Sequence, residues 1–295
     1  MNPYNPEHYQ TYVNTYGPYP SSVSDPDPDP AIESFDPWEE HPHNTTGLPK
    51  RVPGSPQLRL HYESQYRGWA VLQQPKYGGL VENYLERTWE VIDAALTEYP
   101  RVYAVRVDLR YPQAYPVELS RDNQCMKRFF EYLQRELDRA DLKYPTRVHY
   151  VWAREQDSSP HPHYHLLLMF NQNAVHQIGT YGPCEEGGYH RQNLFHRIVR
   201  AWCYALRLAN DHGVEGLVHY AVGGQYDTDY PYGCDVPSRS EAIDYETGHF
   251  RISSHPSDGY ELARLYYRAS YLCKAYSKRF GEGTRCFDSS RRCRC

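Results

Sequence analysis

The chain has 295 residues, with 37 acidic and 32 basic side chains and a formal net charge of −5. That length suffices for one large or two small domains with a buried core, and the balance excludes a uniformly cationic polyanion binder. Eight cysteines lack framework spacing, and neither a signal peptide nor an apolar run of about 18 residues is present, so a reduced, soluble, cytoplasmic protein without a membrane partner is expected. Residues 1–56 are rich in Tyr, Pro, Asp and Ser ("YGPYPSSVSDPDPDP") and read as a disordered tail, because they offer too little apolar surface to offset ordering. Residues 57–79 read as a linker or entry segment, 80–292 as the folded domain, and 293–295 as a short basic, Cys-containing end. Residues 1–75 carry the whole of the net negative charge, while the last 35 hold nine Lys and Arg against three acids.

From residue 80, "LVENYLERTWEVIDAALTEYP" has helical apolar spacing and stops at Pro100. "RVYAVRVDLRYP" (101–112) reads as a strand, and the next helix is expected from a Ser120 cap to about Leu142. "TRVHYVWAREQ" (146–156) and "HYHLLLMFN" are strands joined by a short turn over residues 157–162. A helix follows over 190–211, then the strand "GLVHYAV", a long loop over 223–250, and a last helix over 259–279 ended by Gly281. Two consecutive strands across a short turn pair antiparallel, and helices packed on such a sheet make an α+β domain whose central sheet contains the His-x-His strand.

Within that strand His163 and His165 project from one face, since side chains alternate along a strand. An antiparallel partner "VHYVWARE" puts Glu155 opposite the pair. A carboxylate and two imidazoles with open positions suit Mg²⁺ or Mn²⁺ in a working site better than a closed structural zinc site. His161 is a rival ligand in the turn. Against this stands the ordinary occurrence of His-x-His pairs on strand surfaces that bind nothing. In the last helix, Tyr271 and Lys274 share a face with Tyr267 one turn earlier, whereas Tyr276 points elsewhere. A tyrosine beside a bound metal can attack a phosphodiester, with the ammonium stabilising developing charge. In a chain with 30 tyrosines such spacing also arises from composition alone.

Taken in order, "VYAVRVDLRYP", "HPHYHLLLMFN" and "SYLCKAYSK" resemble the three motifs of the His-hydrophobic-His (HUH) endonucleases of rolling-circle replication. They are most similar to the inovirus-type replication-protein family that includes prophage proteins with the YagK/YfjJ C-terminal domain. "YVWAREQ" and "RCFDSSR" add to the likeness, which spans roughly 80–292. The resemblance implies an HUH endonuclease-like fold, His163, His165 and Glu155 as metal ligands, Tyr271 as nucleophile and Lys274 as the lysine of Tyr-x-x-Lys. Tyr267 and His161 are accessory candidates, and Arg110, Lys278 and Arg279 are candidate DNA contacts. The motif holding Asp108 is expected to be structural, with Asp108 itself a further candidate for touching DNA.

The implied reaction is metal-dependent nicking and joining of single-stranded DNA at a replication origin through a 5′-phosphotyrosine, initiating rolling-circle replication of a phage, prophage or related element. With no G-x-x-x-x-G-K-[ST], the chain is expected to depend on a host helicase and polymerase. A transposase or relaxase with the same chemistry is a near alternative. A non-catalytic DNA-binding regulator on the same fold is the alternative of a different class. A small-molecule metal hydrolase would leave the tyrosine helix unexplained.

Overall fold

The computed structural model describes residues 47–73, 78–156, 159–209, 214–220, 248–255 and 258–291. Most of the expected amino-terminal tail and of the 223–250 loop, and the end 293–295, lie outside the described residues. The stretch expected as a linker or entry segment carries short strands, and they begin at Arg51, inside the segment expected as a disordered tail. Strands β1 (Arg51–Val52) and β2 (Ser55–His61) pair antiparallel, and β2 also pairs with β5 (Leu80–Val81). A hairpin of β3 (Gln65–Tyr66) and β4 (Trp69–Ala70) lies between, and Val71 and Leu72 are buried directly after it.

Helix α1 (Glu82–Glu98) buries Leu85, Thr88, Val91, Ile92 and Ala95, one stripe at three- and four-residue steps. Tyr99 leaves it in an extended conformation, as a residue before proline is pressed to do. Strand β6 (Arg101–Leu109) follows, then a 3₁₀ turn (Val117–Ser120) and α2 (Gln124–Asp138). Ser120 therefore lies in the 3₁₀ turn rather than capping α2, and the Asp122 carboxylate accepts the first helical N–H, from Gln124, at 2.9 Å. Strands β7 (His149–Glu155) and β8 (His163–Asn171) form the expected antiparallel pair. Helix α3 (Leu194–Leu206) is capped by Asn193, whose side chain accepts from His196 N. The chain closes with β9 (Val218–Tyr220), β10 (His249–Ser253), α4 (Gly259–Ser270), a 3₁₀ turn (Tyr271–Cys273) and β11 (Phe287–Ser289).

The main sheet runs β10-β6-β8-β7-β11 with β9 also on β6, and its pairings are antiparallel. Both faces are covered, which is why β8 reads as a nearly continuous apolar run rather than an alternating one. Tyr164, Leu166, Leu168 and Phe170 point to one face and pack with Phe129, Leu133, Ile198 and Trp202 of α2 and α3. Leu167 and Met169 point to the other face, with Leu85 and Ile92 of α1 and Leu265 and Ala269 of α4. The result is a mixed α/β architecture, two helical layers around an antiparallel sheet. No helix among the described residues is long and apolar enough to cross a membrane.

Candidate metal centre

The register of the three central strands assembles the site. Glu155 of β7 lies opposite His163 of β8, and His165 lies opposite both Asp108 of β6 and Ala153 of β7. His163 and His165 share the face of Leu167 and Met169, so these polar side chains collect at one end of the layer that α1 and α4 cover. The ligand atoms of Glu155, His163 and His165 lie within 4.8 Å of one another. His163 Nε2 is 3.1 Å from His165 Nε2, and His165 Nε2 is 3.4 Å from Glu155 Oε2.

The 3.1 and 3.4 Å separations fit a shared divalent ion. With bonds of about 2.1 Å, two ligands at a right angle sit about 3.0 Å apart and two at a tetrahedral angle about 3.4 Å apart. Behind the pair, Asp108 Oδ1 is 2.6 Å from His165 Nδ1. A carboxylate there fixes the imidazole so that Nε2 faces the ligand position, the usual outer support of a metal-bound histidine.

Tyr271 approaches from the end of α4. Its ring meets that of His165 edge-on, centroids 5.3 Å apart, and Arg106 Cζ lies 5.1 Å from the same ring centroid. Lys274 Nζ donates to the Tyr271 hydroxyl at 2.5 Å and sits 3.1 Å from Glu155 Oε2. Lys278 Nζ holds Glu155 Oε1 at 3.0 Å, and the Ser277 hydroxyl donates to Oε2 at 2.7 Å.

The last helix was expected to run to residue 279, but it ends at Ser270. Ser270 Oγ turns back onto Tyr267 O and accepts from Leu72 N, while Lys274 bridges Leu80 and Ala275 N donates to Gly79 O at 3.0 Å. Tyr271 and Lys274 remain neighbours because the 3₁₀ turn also brings residues three apart together.

The charges are strongly coupled. Burial opposes a charge on Asp108, yet the facing His165 imidazolium, its hydrogen bond and Arg106 together hold the carboxyl well below its ordinary range. Burial likewise opposes ionised Glu155, but Lys278, His165 and Lys274 outweigh it and keep it a carboxylate. His165 is pushed up to about 9: burial works against the proton, and Asp108 and Glu155 overcome it. His163 is pushed down to about 4, by burial first and then by the charge on His165. The two imidazoles thus hold opposite protonation states at neutral pH, one donating and one accepting across the space between them.

Other expected residues lie elsewhere. His161 is not part of the cluster; its Nδ1 lies 3.1 Å from Ser120 Oγ and its Nε2 3.2 Å from Gln113 O, which uses both nitrogens. Lys278, expected on the DNA surface, is instead buried against Glu155. Arg279 is exposed, and Arg110 is half-buried and close enough for its charge to help keep His163 neutral. Tyr267 is half-buried and packs against the α1/α4 apolar layer. Sequence reasoning missed the part played by Asp108, although a lone carboxylate among the valines of "VRVDL" was a visible signal. Nothing local marked Ser277.

A family model, the YagK/YfjJ C-terminal domain, matches residues 64–230. The chain belongs to that family. Two relatives from Escherichia coli (strain K12) are similar along nearly their whole length. The uncharacterized protein YagK is 30% identical over 234 residues, covering 74% of this chain and 96% of YagK. The uncharacterized protein YfjJ is 28% identical over 235 residues, covering 73% of this chain and 97% of YfjJ. No solved structure gives a significant match. The YagK/YfjJ match contains Asp108, Glu155, His163 and His165 and ends before Tyr271.

Proposed function

We propose that this YagK/YfjJ-family chain is an HUH-type, metal-dependent single-strand DNA endonuclease and strand transferase with Tyr271 as its nucleophile. The observation that carries the reading is the meeting of Tyr271 with His165 of the Glu155–His163–His165 cluster while Lys274 donates to the Tyr271 hydroxyl. Initiation of rolling-circle replication in a phage or prophage, with host helicase and polymerase, is the biology we attach to it.

His163, His165 and Glu155 would hold Mg²⁺ or Mn²⁺, which when bound supplies Lewis-acid polarisation of the scissile phosphate. Asp108 orients His165 and keeps Nε2 aimed at the ligand position. Lys274 donates to the Tyr271 hydroxyl and would stabilise the negative charge that develops as that oxygen attacks. Attack forms a bond from the Tyr271 oxygen to phosphorus and breaks the bond to the 3′ oxygen, which gains a proton. The products are a 5′-phosphotyrosine and a free 3′ hydroxyl. Reversal by another 3′ hydroxyl rejoins the strand.

One observation favours a second reading. Tyr271 and Lys274 are each only 1% exposed, which suits a structural tyrosine in a non-catalytic DNA-binding regulator of the same fold.

The test mixes the full chain and Mn²⁺ with labelled single-stranded oligonucleotides from the neighbouring replicon, then looks for a protein-sized labelled band on a denaturing gel. The expected band is absent in Tyr271→Phe and in chelator, and retained in Tyr267→Phe. Loss in Tyr267→Phe alone would move the nucleophile. Absence of any adduct, together with binding to duplex DNA, would leave the regulator.

A further inference from the structure

Helices α2 and α3 cover the sheet face opposite the metal cluster. Between the end of α2 and the start of α3 lies a cavity of about 370 Å³ lined by Glu136, Arg139, His190, Gln192, Arg197 and Arg200. Every lining residue is polar, so the cavity suits a polar ligand better than an apolar one. Three guanidiniums face one carboxylate. Arg200 uses its Nε and Nη2 on Glu136 and its Nη1 on the carbonyls of Tyr189 and Arg191, so it is committed to the fold.

Arg197 is not so committed. It is 7% exposed, yet among the described residues only its Nη1 finds acceptors: Glu136 O at 3.1 Å, with a Glu136 carboxylate oxygen at 3.8 Å. Its Nε and Nη2 have no hydrogen-bond partner among those residues. Neither atom is sealed from solvent, so both donors stay available to an acceptor that enters the cavity. Burial and the neighbouring Arg200 charge both work against its proton, and Glu136 alone is set against them. At the rim, exposed Arg139 adds a third cation. Planar donor forks around a small polar cavity match the oxygens of a phosphate group, which can take several N–H donors at once.

We propose that this cleft is a phosphate-binding site, filled by a backbone phosphodiester of DNA that passes the face opposite the metal centre. The cleft stands on its own geometry, whereas DNA as the source of the phosphate rests on the proposed function. Arg197 is the buried anchor and Arg139 the outer contact.

The test uses the full chain, a labelled single-stranded oligonucleotide and, separately, inorganic phosphate. Arg139→Gln is the first variant because that side chain is exposed and a packing role is not at stake. Its affinity for the oligonucleotide should fall about three- to tenfold at moderate salt, and the slope of log affinity against log salt should shrink by about 0.7, the value for one lost phosphate contact on a single strand. Arg139→Lys should restore the slope. Arg197→Gln, checked for folding by circular dichroism, should show a larger loss.

Inorganic phosphate should broaden its ³¹P resonance on the wild-type chain and not on Arg197→Gln. Phosphate binding with an unchanged DNA slope would keep the site but overturn DNA as its source. An unchanged salt slope together with unchanged ³¹P broadening in both variants overturns the proposal. A changed slope without any Tyr271 adduct would sink the nicking reading while the cleft survived.

Discussion

Raising the pH from 6.5 to 8.5 should tighten Mn²⁺ binding about a hundredfold in the wild-type chain and far less in Asp108→Asn. In the metal-free chain His165 keeps its proton to about 9 because Asp108 and Glu155 outweigh its burial. A metal ligand must be a neutral imidazole, so below that pH each binding event expels about one proton from His165. Apparent affinity then climbs about tenfold per pH unit, or about 2.7 kcal/mol over two units. His163, pushed down to about 4, is already neutral across this window and adds no slope. Asp108→Asn keeps the shape of the side chain but removes the leading cause of the upward shift. The His165 titration drops out of the window and the slope flattens. The same change strips the imidazole of its supporting carboxylate, so at pH 8.5 the variant should bind about 10–100-fold more weakly than wild type. Calorimetric titration in two buffers of different ionisation enthalpy reads both affinity and protons released. A flat wild-type profile with no proton release would refute the assignment of a protonated His165 beside the ligand position.

Three further outcomes can be measured. Lys278→Met leaves Glu155 with Lys274 and Ser277 but removes one buried cation, which should cost about 3 kcal/mol in urea unfolding; saturating Mn²⁺ should recover part of the loss. Trp202, wholly buried and donating from Nε1 to Arg110 O at 2.6 Å, should cost about 3–5 kcal/mol as Trp202→Ala. Because the folded-state pKa of His165 lies above the unfolded value of 6.5, its contribution to stability is complete below that pH and lost as pH rises through 9. Metal-free unfolding should therefore show a loss of about 2 kcal/mol between pH 7 and 9.5, with the opposite slope ruling the linkage out.

The His-x-His strand was legible almost to the residue, since an apolar run flanked by turn chemistry has few other solutions. Its register against β7 followed from the short turn, and with it the place of Glu155 opposite His163. The end of α4 was not legible. "ASYLCKAYSK" has good helix formers, and the break is imposed by Gly79 and Leu80, nearly two hundred residues earlier in the chain. For the same reason Lys278 looked like part of a basic surface: its neighbours in sequence are polar and basic, and its burial depends on Glu155, 123 residues away. β11 is three residues long and too short to carry a period of its own. His161 was drawn into the metal set by proximity in sequence, although the proline after it sets it apart from the strand that aims His163 and His165.

The order of these groups along the chain has a consequence for synthesis. The carboxylate and both imidazoles leave the ribosome early, whereas Tyr271, both lysines and the edge strand β11 come near the end. At about 5–20 residues per second, the histidine strand precedes Lys278 by roughly 6–23 seconds. During that interval Glu155 lacks both of its lysines, and a dissolved cation is the available substitute. With Glu155, His163 and His165 as its ligands, a metal would load on the nascent polypeptide before the last helix exists. With Tyr271 as the nucleophile, translation itself would delay the first cut until the final secondary-structure elements have docked.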